Sequence, residues 1–96
     1  MTPLAVSRAL RAVGKHVADW RKLHRLTAAQ VAERAGISRD TLRTIEQGKG
    51  TASTENLLRV MRILGILDGV VDAADPYQTD VGRLRVDEIL PRRVRG

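Results

Sequence analysis

Ninety-six residues allow one domain with one small core, since a chain of this size hides only about 60–65% of its unfolded surface. Hydrophobic residues at 43% and charged residues at 29% exclude wholesale disorder, and the absence of cysteine excludes disulfides, thiolate zinc sites and a cysteine nucleophile. A net charge of +6 and a pI near 11.0 suggest a polyanionic partner.

Thr2 before Pro3 is a helix-start pair, because the Thr oxygen accepts from an orphan amide and Pro lacks an amide hydrogen where none is needed. Val6, Leu10, Val13, Val17 and Trp20 follow at alternating spacings of four and three, one apolar stripe with Trp20 expected as a core anchor. Gly14 inside that run costs roughly 1 kcal/mol against Ala, so the helix runs from Pro3 to about Leu23 or breaks into two pieces near Gly14. Thr27 with Gln30 reads as a capping box, and Val31, Ala32 and Ala35 give a short second helix a small inner face that ends at Gly36. Ser38 caps a third helix with Asp40 in its first turn, Leu42 and Ile45 facing inward, and Gly48 closing it. Ser53 caps a fourth, with Glu55 near the positive end of its dipole and Leu57, Val60, Met61 and Leu64 as its buried stripe. Leu67, Val70, Val71 and Ala74 mark a fifth, ended by Asp75-Pro76. Beyond Pro76 the residues Val81, Leu84, Val86, Ile89 and Leu90 fit neither period, and the structure of 76–96 is left open.

Charge follows these pieces. Residues 1–62 hold twelve Lys and Arg against five acids, residues 63–80 hold four acids and no base, and residues 81–96 hold five Arg against two acids. The expected organisation is a helical body over 1–75, with its core in 13–64, and a basic tail over 76–96.

The informative stretch is Leu26 to Gly48, where two short helices meet around Ala35-Gly36-Ile37-Ser38 with small residues at the crossing. In a helix-turn-helix the second helix lies in the major groove, its first residues against base edges. Here it would present Arg39, Asp40, Arg43 and Thr44, because Leu42 and Ile45 face inward. Arg39 suits guanine, whose edge takes two hydrogen bonds from a guanidinium fork. Asp40 either accepts from cytosine or orients Arg39 and stabilises the helix start.

The residues LTAAQVAERAGISRDTLRTIEQG resemble the XRE, lambda-repressor-like family over about Val13 to Leu64. The resemblance implies an all-α bundle of five helices, here with an N-terminal helical extension and a basic tail. It implies a regulator that binds double-stranded operator DNA as a two-fold dimer and represses transcription. By position, Ser38, Arg39, Asp40, Arg43 and Thr44 match its recognition-helix surface, and Gln47, Gly48 and Lys49 match a turn that meets phosphates; Thr27 and Thr41 are expected to bind DNA beside them. Arg21 and Glu46 match positions that pair the first and third helices in some members. Many members have Gln where this chain has Ala28, so a contact expected there is missing. The stretch after Gly65 looks like regulators found beside HipA-type kinase toxins, so a kinase-toxin partner is the alternative reading.

Ile66, Leu67, Val70 and Val71 exceed what so small a monomer readily buries and are the expected homodimer contact. Arg8, Arg11, Lys15 and Lys22 lie off the apolar stripe and serve flanking phosphates or solubility. The five tail arginines embrace DNA, contact an acidic partner or stay disordered. His16 and His24, eight apart and without thiols, are not expected to hold a metal. Asp87 and Glu88 adjoin but point apart on a helix, and no Gly-rich phosphate loop or His-paired nucleophile is present, so neither enzymatic activity nor a cofactor is expected. No apolar run nears the roughly 18–20 residues that span a bilayer, and Met1-Thr2-Pro3-Leu4 lacks a signal-peptide layout, so a soluble cytoplasmic protein is expected.

Overall fold

The computed structural model describes residues 1–89, which form helices α1 (Leu4–Leu23), α2 (Ala28–Ala35), α3 (Arg39–Glu46), α4 (Thr54–Leu64), α5 (Leu67–Ala74) and α6 (Asp80–Ile89), with a 3₁₀ turn at Pro76–Gln78. Among the described residues there is no strand, so the chain is all-helical. Leu90 and the tail arginines Arg92, Arg93 and Arg95 lie outside the described residues.

Local chemistry sets the boundaries. The Thr27–Gln30 capping box is complete, with the Gln30 amide donating to Thr27 Oγ1 at 3.1 Å and the Thr27 amide donating to Gln30 Oε1 at 2.8 Å. Ser38 accepts from the Thr41 amide at 3.0 Å and Ser53 from the Asn56 amide at 3.0 Å. Gly36 and Gly65 take the left-handed conformation that turns the last carbonyls of α2 and α4 toward later amides. Thr2 makes no cap. Pro3 itself, at φ −57° and ψ 145°, is the flanking residue, and its carbonyl accepts from the Val6 and Ser7 amides.

At the far end of α1 the left-handed position falls on Arg25, at φ 58°. A Cβ there is strained against its own carbonyl. Arg25→Gly is therefore expected to raise the unfolding free energy by about 0.5 kcal/mol, the relieved strain exceeding the added chain entropy. A lower urea midpoint for this variant would contradict that reading.

The core is one cluster: Val17 from α1, Val31, Ala32 and Ala35 from α2, Leu42 and Ile45 from α3, and Val60 and Leu64 from α4. Helix α1 packs on α3 and α4, α2 packs on α3 and α4, and α5 packs on α4. Gly14 makes the α1–α3 approach possible within one continuous helix. A Cβ there would lie 2.5 Å from the Ile45 carbonyl oxygen and 2.6 Å from that of Glu46. Gly48 returns the contact, since its Cβ would fall 2.6 Å from the Arg11 Cα, and its φ of 72° is itself left-handed.

The α1 stripe is only partly used. Val17 is buried and Val13 half-buried, but Val6 is exposed and Trp20 is 41% exposed, so Trp20 is not the core anchor its spacing suggests. For Val6 the reason is length: α1 has 20 residues, about 30 Å, while α2 and α3 have 8 each, about 12 Å, so the start of α1 overhangs them. Trp20 instead stacks on His24, with ring centroids 5.9 Å apart. His24 Nε2 carries the proton and donates to the Leu64 carbonyl at 2.9 Å, because a carbonyl can only accept.

Candidate nucleic-acid interface

Two short helices meeting through alanines cannot fix their own angle, so α3 is held from outside. Arg21 on α1 reaches the last residue of α3 with a two-pronged contact, Nε to Glu46 Oε2 at 2.8 Å and Nη2 to Oε1 at 3.1 Å. Its Nη1 donates to the Leu26 carbonyl at 3.3 Å. Both side chains are 16% exposed, and the hydrogen bond to Glu46 raises the Arg21 pKa further above its ordinary value. The inter-helix ion pair expected for these two residues is therefore present.

A second clamp is absent from the sequence reading. Arg59 on α4 donates to the Ala35 carbonyl at 3.3 Å, at the turn between α2 and α3, while its Nε pairs with Glu55 at 3.0 Å. The i,i+4 spacing of Glu55 and Arg59 signals the pair, but nothing local signals the reach to the turn.

Helices α1, α2 and α3 enclose an open cleft of about 600 Å³. It brings together Thr27, Arg39, Arg43 and Gln47, with Ala28 and Ala29 beside them. The small side chains of Ala28 and Ala29 leave open space at the start of α2. Arg39 and Gln47 are exposed and make no hydrogen bond or ion pair from their side chains within the described residues. Asp40 Oδ1 lies 3.5 Å from Arg43 Nη1, and no hydrogen bond joins its side chain to Arg39 among the described residues.

The other expected contacts separate. Ser38 and Thr41 serve the helix start, because Ser38 accepts the Thr41 amide and spends its only proton on Thr41 Oγ1 at 2.9 Å. Thr44 is half-buried, and its carbonyl accepts from the Lys49 amide at 3.1 Å. Lys49 borders a different, smaller cleft with Gly50, Ser53 and Thr54 at the start of α4. Among the α1 cations, Lys15 is tied to Asp19 at 2.8 Å, a hydrogen bond that holds the Asp19 carboxyl below its ordinary range.

What the arrangement offers chemically is two planar cations and an amide at the edge of a concave surface, on a helix whose angle is fixed from two sides. Among the described residues no group of His, Asp and Glu is placed to hold a metal ion, and no helix is long and apolar enough to cross a membrane. No curated protein and no solved structure matches the chain significantly. The family profile described as "Helix-turn-helix domain" matches residues 8–74, from the second turn of α1 to the end of α5. With α2, the Gly36 turn and α3 braced by α1 and α4 inside that span, the chain belongs to the helix-turn-helix domain family, a fold of DNA-binding regulators.

Proposed function

We propose that this protein is a sequence-specific transcriptional regulator of the XRE, lambda-repressor-like kind, which binds an inverted-repeat operator as a homodimer and represses its own promoter. The observation that carries the reading is the convergence of Thr27, Arg39, Arg43 and Gln47 on one open cleft along α3, with α3 locked to α1 by Arg21 and Glu46. Phosphates supply most of the grip and base edges the choice. In this reading Arg39 and Arg43 face bases, Thr27, Gln47 and Lys49 face the backbone, and Ser38 and Thr41 act by holding the start of α3. Two-fold related helices would meet half-sites centred about 10 base pairs apart.

Arg39→Ala is expected to weaken the cognate operator roughly tenfold and to relax preference at one base position. Lys49→Ala is expected to weaken all sequences alike and to flatten the salt dependence. Equal loss of selectivity from both would remove this division of labour. The direct test is selection of bound sequences from a random DNA pool at stated salt, with a palindromic consensus as the expected result.

A second reading makes a protein partner such as a HipA-type kinase toxin the main target. It is favoured by Val81, Leu84 and Ile89 on α6, which are exposed among the described residues. Selection that yields no consensus at all would support it over the first.

A further inference from the structure

We propose that α1 is a second DNA-contacting element, in which Arg8, Arg11, Lys15 and Lys22 form a rail for the sugar-phosphate backbone beside the α3 cleft. This rests on the DNA binding of the proposed function and extends it to a helix outside the helix-turn-helix pair.

Helix phase places the rail. Ala18 on α1 lines the cleft together with Arg39, Arg43 and Gln47. Residues three, four and seven positions from Ala18 flank it on the helix surface. On one flank stand Gly14 and Arg21, which make the close contacts with α3. On the other stand Arg11, Lys15 and Lys22, and Arg8 continues that row by one turn. All four cations are exposed. Backbone contact fixes the row against the α3 side, because a Cβ on Gly48 would fall 2.6 Å from the Arg11 Cα. Arg11 therefore stands against the turn that joins Gln47, in the α3 cleft, to Lys49, in the smaller cleft beside it.

Charge gives the row its partner. A helix face that serves solubility mixes both signs. Residues 1–32 instead hold six Lys and Arg against one acid, Asp19. Arg21 is taken by Glu46 and Lys15 by Asp19, while Arg8, Arg11 and Lys22 have no ion pair among the described residues. The acids gather elsewhere, with four and no base in residues 63–80, so an approaching polyanion is drawn to the α1 and α3 side. From Arg8 to Lys22 the row runs about 21 Å. Phosphates stand about 3.4 Å apart along the axis of each strand, so a row of that length can neutralise several of them without reading a base.

The test measures the full chain against a short duplex of unrelated sequence and against the duplex selected from the random pool, each over a salt series. Arg8→Gln, Arg11→Gln and Lys22→Gln combined, with the fold checked by circular dichroism, should flatten the slope of log affinity against log salt by about 2 to 3 on both duplexes and leave their affinity ratio unchanged. Asp19→Asn, which frees Lys15, should tighten both duplexes and steepen both slopes by about 0.9. Arg62→Gln removes an exposed cation from α4 and should leave the slopes as they are. A slope change for Arg62→Gln as large as that of Arg11→Gln alone would reduce the effect to net charge and overturn the rail. An unchanged slope in the combined variant or in Asp19→Asn, with the wild type still selecting its operator, overturns the rail and leaves the DNA reading standing. A wild type that binds neither duplex overturns both.

Discussion

Gly14→Ala is expected to lower the unfolding free energy by about 3 kcal/mol, the upper end of what overpacking costs. Helix propensity alone predicts the opposite, a gain of roughly 1 kcal/mol for the same substitution in a helix interior. Tertiary contact wins because the obstacle is backbone. The added methyl would stand 2.5 Å from the Ile45 carbonyl oxygen and 2.6 Å from that of Glu46, and neither can swing aside as a side-chain tip could. Relief requires α1 and α3 to move apart, which opens the cluster of Val17, Leu42 and Ile45. It also stretches the Arg21–Glu46 contact. Urea denaturation should therefore show a lower midpoint with an unchanged slope, and operator affinity per folded molecule should fall too. A midpoint at or above wild type would contradict the close approach of α1 and α3 at Gly14.

Gly14 also shows which parts of the fold are legible in the chain. Its helical cost is local and can be read from the sequence; its necessity lies in a carbonyl 31 residues away and cannot. The capping box at Thr27, the Ser38 and Ser53 caps and the inward faces of α3 and α4 are local in the same sense, and the structure has them where the residues suggest. Periodicity gives the direction of an apolar stripe but not how much of it has something to pack on. That is why Val6 at the overhanging start of α1, and Trp20 stacked on His24, stay in contact with solvent. The region past Pro76 resists reading for a related reason. Among the described side chains of α6 Val86 is the one buried, and the helix otherwise rests on a 3₁₀ turn, so its burial follows no regular period. At the interface, sequence assembles Thr27, Arg39, Arg43 and Gln47 in one neighbourhood, and they do share a cleft. It also adds Lys49, which opens onto another, because the turn at Gly48 redirects the chain through a left-handed residue.

The second large effect is expected at the brace itself. Glu46→Ala should cost about 2 kcal/mol, because Arg21 is left with two donors facing no acceptor in a site where only 16% of its side chain meets water. Arg21→Met should cost a similar amount by stranding the carboxylate. The double variant Arg21→Met, Glu46→Leu should recover much of the loss, since apolar groups of similar volume carry no desolvation penalty. Stability and function should then part company. The double variant restores packing but not the two-pronged geometry that sets the angle of α3, so operator selectivity should stay reduced while the denaturation midpoint returns. The sign of the pH response is fixed by the raised Arg21 pKa: the pair's contribution is complete below the guanidinium's unfolded value and is lost only as pH rises through the higher folded one. Deprotonation of Arg21 therefore gives no pH dependence to stability in the neutral range. A double-mutant cycle with coupling below about 0.5 kcal/mol would show that Arg21 and Glu46 act independently. The orientation of α3 would then have to come from the Gly14 and Gly48 contacts, the Arg59 clamp and core packing.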